Sequence, residues 1–233
     1  MYDPNANESP LNPLPTVVWL LALAIALPEL VLQAGEAGFV GGPEAIGWRL
    51  DFARSYGFLD PVFDWMRQTG TYPPEHLLRF VTYSFIHGGF THAAFVVVFI
   101  LARGKFVAEL FNPLVVLAIF FGSAIVGALM YSIILDEANL LIGGYPGVYG
   151  LIGAFTWILF TDMRNTGQSG LAAFRLIAFF MLIQLIYKIF FGTSNQWLAE
   201  LMAFFTGFAL SFMLAPDARR RLGGFIDRMR TRE

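Results

Sequence analysis

Ile142-Gly143-Gly144-Tyr145-Pro146-Gly147-Val148-Tyr149-Gly150-Leu151-Ile152-Gly153-Ala154-Phe155 is a glycine-rich lead-in that runs into an apolar helix. The apolar run, Gly147–Phe160, is too short to cross a bilayer unaided, because a spanning helix needs about 20 such residues. A helix of this kind starts inside a membrane only if its irregular lead-in is buried in protein or lines a wet cavity. The stretch therefore predicts a short helix enclosed by others.

The rest of the chain supplies those others. Of 233 residues, 57% are hydrophobic and 14% are charged, against about 45–50% and about 25% in a soluble domain. That composition excludes a soluble globular protein and a disordered one. A net charge of −2 with no basic face excludes a nucleic-acid partner. Cys is absent and His occurs three times, at His76, His87 and His92. Disulfides, thiolate nucleophiles and Cys-based metal sites are thereby ruled out.

Besides Gly147–Phe160, five apolar segments predict helices: Thr16–Gln33, Leu77–Ala102, Pro113–Leu135, Leu171–Ile189 and Leu198–Leu214. The expectation is an all-α membrane protein of six transmembrane helices. It has a tail over 1–15, one domain over 16–215 and a basic cytoplasmic tail over 216–233. The first span lacks the basic start of a signal peptide and is read as a retained helix. Arg219, Arg220, Arg221, Arg228, Arg230 and Arg232 place the C-terminal tail in the cytoplasm. Six crossings then put the N-terminus there too. The tail, with Leu222, Phe225, Ile226 and Met229 between its arginines, suits an anionic leaflet. The Ala34–His76 loop falls outside, and at roughly 43 residues it is long for a connection. Phe58-Leu59, Val62-Phe63 and Trp65 in that loop suit the membrane interface.

Phe85-Ile86-His87-Gly88-Gly89-Phe90-Thr91-His92, followed by Gly104-Lys105 and Glu109, resembles the second helix and following loop of rhomboid intramembrane proteases. The opening stretch is similar to the rhomboid nucleophile segment, I-G-A-S-G-A-V-Y-G-L-I-G-A-F, without a gap. Trp48-Arg49 resembles the family's W-R pair. The likeness covers roughly Trp48 to Leu214. It implies a six-helix rhomboid-like bundle with a long interfacial first loop and a short fourth helix, in a bacterial inner membrane.

The resemblance also implies a Ser–His dyad, in which Ser attacks the peptide carbonyl and His moves the proton. Here the nucleophile position holds Tyr145, followed by Pro146 where the family has Gly. No Ser lies between Ser132 and Ser169. The base position on the sixth helix holds Glu200, Ala203 replaces the first Gly after it, and no His follows His92. The oxyanion Asn position is Val96. A Tyr145–Glu200 dyad is a poor substitute, since a phenol has a reference pKa of about 10. The expectation is a hydrogen bond between the two that closes the old cavity.

His87 and His92 lie five apart, not at the i,i+4 spacing of a two-His metal face, so they are expected to brace the outer loop with no metal or other cofactor. The resemblance assigns Glu109 to loop architecture. Gly147 is a further retained motif position. Tyr149, Gly150, Gly153, Ala203 and Gly207 are expected at close helix crossings. Arg175 and Lys188 lie near the ends of the fifth helix and can snorkel. Gln184 lies nearer its middle and is the candidate contact for a membrane partner. The pairs Phe179-Phe180, Phe190-Phe191 and Phe204-Phe205 are expected to give surfaces facing lipid or a partner.

A fold kept without its dyad implies binding. Inactive rhomboid relatives such as derlins bind transmembrane clients, so the partners expected are transmembrane helices, lipid, and anionic headgroups at the tail. A fixed subunit of a membrane complex is a related reading. The competing one is a rhomboid serine endopeptidase with displaced catalytic residues.

Overall fold

The computed structural model describes residues 13–135, 140–191 and 195–215. The basic tail, most of the N-terminal tail, residues 136–139 of the outer connection, and the side chains of Lys188 and Phe191 lie outside the described residues.

The first helix, α1 (Thr16–Glu36), passes through Pro28 and ends three residues beyond the expected Gln33. The long loop after it is structured. A 3-10 turn over Gly42–Gly47 leads into α2 (Trp48–Tyr56), a two-residue strand β1 (Phe58–Leu59) and α3 (Asp60–Thr69). Gly70 ends α3 in the left-handed region at φ 65°, a conformation that glycine adopts without steric cost.

The expected helix over Leu77–Ala102 is broken. One piece, α4 (Pro74–Thr82), continues as a 3-10 turn to Phe85. The chain then turns by 85° and resumes as α5 (Phe90–Phe99), a π segment over Ile100–Gly104, and α6 (Lys105–Leu110). The break coincides with a long-range contact of the backbone. Ile86 is extended, and the His87 carbonyl accepts a bond from Arg49 at 2.8 Å, so it is not committed to a helical ladder.

α7 (Pro113–Leu135) keeps the predicted bounds. β2 (Leu140–Leu141) pairs antiparallel with β1, Phe58 opposite Leu141 and Leu59 opposite Leu140. The short fourth helix is corrected. α8 (Tyr145–Asn165) has 21 residues, starting two earlier and ending five later than its apolar run. Its polar end, Thr161-Asp162-Met163-Arg164-Asn165, continues the backbone ladder without adding apolar length. A 3-10 turn over Gly170–Phe174 precedes α9 (Arg175–Phe191), and α10 (Trp197–Leu214) closes the bundle.

Among the described residues, α1, α7 and α10 are long and apolar enough to cross a membrane, and the bent pair makes a fourth span if counted as one. α8 is the most enclosed helix, with Pro146 through Ala154 all buried. The larger core joins α1, α5, α7, α8 and α10. A smaller one gathers Phe58, Met66, Phe80, Tyr83 and Tyr131. Phe58 is thus a core residue and not an interfacial one: its ring lies 4.8 Å from that of Phe80. Exposed apolar side chains of the loop include Phe39, Val40, Ile46, Leu50, Phe52 and Trp65.

The phenylalanine pairs divide between inside and outside, because neighbouring residues on a helix point about 100° apart. Phe204 is buried and Phe205 exposed. Phe180 packs on Phe99 and Tyr149 while Phe179 is exposed.

α8 meets its neighbours through glycines. A Cβ on Gly207 would overlap the Gly150 backbone, and one on Gly153 would overlap the Phe204 carbonyl. A Cβ on Gly147 would lie 2.6 Å from the Phe120 ring. On α7, a Cβ on Gly127 would lie 2.6 Å from the Ala199 carbonyl and 3.3 Å from the Ala203 side chain. Small residues allow this approach, and van der Waals packing is a main driving force between helices in lipid.

Candidate functional site

The lead-in to α8 is held from three directions. The Gly143 N–H donates to the Tyr83 carbonyl at 2.9 Å. The Gly144 N–H donates to His87 Nε2 at 3.1 Å. Leu140 and Leu141 pair with the outer loop through the small ladder. Gly143 has φ 105°, and a Cβ there would sit 2.6 Å from the His92 ring. The position is glycine for reasons of both backbone and space.

His87 is fully buried in the break between α4 and α5. Its carbonyl accepts from Arg49 Nη1, and the same guanidinium grips Glu29 through Nη1 and Nη2, both at 2.9 Å. It also reaches Glu36 at 2.5 Å and 3.1 Å. Its hydrogen bonds to Glu36 and then to Glu29 hold the Arg49 guanidinium charged even above its ordinary range. Trp48 packs beside it against α1, and a Cβ on Gly35 would lie 3.2 Å from the indole. A continuous path therefore runs from α1 through Arg49 and His87 to Gly144.

His87 and His92 do more than brace the outer loop, because both rings face the lead-in of α8. The His92 ring stacks on Tyr145 at 5.0 Å with 20° between planes, and meets His87 edge-on at 5.0 Å. Among the described residues no cluster of three or more His, Asp or Glu gathers in a form that could hold a metal ion.

The expected Tyr145–Glu200 bond is replaced by another. Glu200, buried at the start of α10, hydrogen-bonds Tyr149 and accepts from Gln184 Nε2. That amide also donates to the Tyr149 hydroxyl at 3.1 Å. Tyr149 lies one turn further into α8 than Tyr145, level with Glu200, whereas Tyr145 is taken by the His92 ring. Gln184 accordingly turns its amide toward α8 and α10. Val96 is fully buried, and a Cβ on Gly144 would lie 2.7 Å from its side chain. Pro146 is buried in the first turn of α8, where its missing N–H costs no ladder bond. Glu109 is exposed on α6.

Beside the triad lies a cleft of about 210 Å³ between α5, α8 and α9. Phe99, Val148, Ile152, Phe180 and Ile183 line it with Tyr145, Tyr149 and Gln184.

Residue spacing does not reveal the triad or the partners of Arg49. The available signal is the placement of Glu29, Gln184 and Glu200 in apolar helices, because a polar group inside a membrane protein is normally paired. Asp60 and Ser132, buried and hydrogen-bonded to each other, join α3 to α7 in the same way.

The apolar helices, enclosed α8 and glycine crossings define an integral membrane protein built as a helical bundle. The family model described as Rhomboid domain matches residues 74–217, more than half of the chain. The chain belongs to the rhomboid family. No curated protein matches it.

Proposed function

We propose that this chain is a rhomboid pseudoprotease that binds transmembrane segments of other proteins, as a client binder or as a subunit of a membrane complex. The observation carrying this reading is the engagement of the two positions where the family keeps its dyad. Tyr145 is stacked on His92, and Glu200 is shared by Gln184 and Tyr149. A nucleophile needs a base within hydrogen-bond reach, and this arrangement pairs neither residue with the other. A buried carboxyl tied to an amide and a phenol is a packing element rather than a proton shuttle.

In this reading the bundle makes six crossings of a bacterial inner membrane, with α8 at its centre and α9 on its periphery completing the count. Both termini are cytoplasmic, and the basic tail lies on anionic headgroups.

The test is cleavage of a fluorescent transmembrane substrate by the purified chain in lipid. The expected result is no turnover above that of Tyr145→Phe and Glu200→Gln. Turnover abolished by either substitution overturns the proposal and makes the chain a protease with displaced catalytic residues. Crosslinking in mild detergent then separates the two binding modes: one stoichiometric partner indicates a subunit, and many substoichiometric ones indicate a client binder.

A further inference from the structure

We propose that Arg103 anchors a site for the phosphodiester headgroup of an anionic phospholipid, on the outer side of the α5–α6 span where it packs against α8. The inference uses neither Tyr145 nor Glu200 and stands whether or not the chain cuts peptide bonds.

The sequence places a cation where the bundle offers it no anion. Arg103 lies in the π segment between α5 and α6, in a span whose other Lys, Arg, Asp or Glu residues are Lys105 and Glu109. A guanidinium is always charged, and a charge in a membrane-spanning segment is normally paired. Among the described residues no carboxylate lies within ion-pair distance of Arg103, and its nitrogens have no hydrogen-bond partner.

The contact that Arg103 does make fixes its posture. Its Cζ lies 4.8 Å from the centre of the Phe155 ring on α8, within the range of a cation–π pair. Nε is buried, while the side chain as a whole is only half-buried. The terminal nitrogens Nη1 and Nη2 are therefore the part turned to the surface. Such a pair of parallel N–H groups matches two oxygens of a phosphate.

The depth suits a headgroup. A Cβ on the next residue, Gly104, would lie 3.5 Å from Val18, and α1 begins at Thr16. Arg103 is thus level with the first turn of α1, where the apolar layer starts. The surroundings suit acyl chains. Phe106 is exposed, and its ring lies 5.4 Å from that of Phe155. Phe95 and Val98, exposed on α5, continue the apolar face along the span. A soluble phosphate gains only the cation here, whereas a lipid gains the apolar face as well. A zwitterionic headgroup carries its own cation beside the phosphate and competes with Arg103, so the anionic lipid is the one favoured.

The experiment titrates phosphatidylglycerol or phosphatidylcholine into the full chain purified in detergent and reads each bound lipid by native mass spectrometry. The unaltered chain is expected to hold its first phosphatidylglycerol more tightly than phosphatidylcholine. Arg103→Gln is expected to weaken phosphatidylglycerol about five-fold, the share of one basic residue near a headgroup, and to leave phosphatidylcholine unchanged. Arg164→Gln removes an exposed arginine that also lies over a ring, Phe160 at 5.7 Å, and is expected to keep the preference. Equal affinity of the unaltered chain for the two lipids overturns the proposal without any variant having to fold. So does an undiminished affinity in Arg103→Gln, and so does an equal loss in Arg164→Gln, which would mean diffuse basic charge rather than a site. Excess glycerol phosphate is expected not to displace the lipid; displacement would make this a site for soluble phosphate and overturn the lipid assignment.

Discussion

Gln184 donates its side-chain amide to the carboxyl of Glu200, and the bond ties α9 to α10. Beyond it, Ile186, Ile189 and Phe190 are exposed. Glu200→Ala leaves the Gln184 amide and the Tyr149 hydroxyl without their shared acceptor. Leaving buried polar groups unmatched costs about 1–3 kcal/mol. The melting temperature in detergent is expected to fall by roughly 2–12 °C, using about 2–4 °C per kcal/mol for a chain of this size. An unchanged melting curve would show that the triad holds nothing.

Arg49→Ala is expected to be more damaging. Glu29 has 3% of its side chain exposed and receives two bonds from the guanidinium. Removing one partner of a buried ion pair costs about 3–5 kcal/mol, because the remaining charge is uncompensated. Arg49→Lys should recover only part of this, since an ammonium cannot reproduce the planar fork that serves Glu29, Glu36 and the His87 carbonyl together. Glu36 has 32% of its side chain exposed, so Glu36→Gln should cost about 1 kcal/mol or less. Thermal unfolding of the three variants gives the ranking directly. A Glu36→Gln loss equal to that of Arg49→Ala would contradict it.

His87→Ala removes the acceptor for the Gly144 N–H while the chain on either side stays hydrogen-bonded. Amide exchange over Gly143–Tyr145 is expected to rise, with exchange in the middle of α7 unchanged. Hydrogen–deuterium exchange with mass spectrometry reads both regions in one experiment. Equal protection in the variant would mean that the ladder and the Tyr83 carbonyl suffice to order the lead-in.

Gly207→Ala tests the helix crossing. The added methyl has no space, because it meets the Gly150 backbone rather than a side chain that can turn away. Overpacking of this kind costs about 1–3 kcal/mol, and Gly207→Val should fail to fold. Gly47→Ala is the control. Its nearest neighbour would be Asp51 at 3.8 Å, and its backbone is already right-handed. Equal melting temperatures for Gly207→Ala and Gly47→Ala would refute the close approach.

The long apolar helices were legible because one physical requirement sets them. α7 begins at Pro113 and ends at Leu135 as read from hydropathy alone, and α10 begins one residue early. The 85° break after Phe85 was not legible in the same way. It depends on Arg49 and Gly144, which lie far off in the chain and take the hydrogen-bonding groups of His87. The depth of Glu200 was equally hidden. Sequence alignment brings it opposite Tyr145, but the pitch of α8 and its glycine contacts with α10 set it beside Tyr149. The end of α8 was misjudged because hydropathy measures apolar length, and a helix continues past that length wherever its last turn reaches water. Phe58 of the outer loop was misplaced for a related reason: it is drawn inward by the strand pairing, a contact with residues more than eighty positions away.

Gly150 and Gly207 meet backbone to backbone, and that contact imposes a steric demand on any sequence folded this way, whether or not it breaks peptide bonds. Tyr145 and Glu200 are under no such demand, for a ring or a carboxyl fits where they stand. Kinship is thus written in the spacing of the helices, and chemistry in a few side chains that the spacing leaves free to change. The architecture can be inherited intact while its occupation is rewritten.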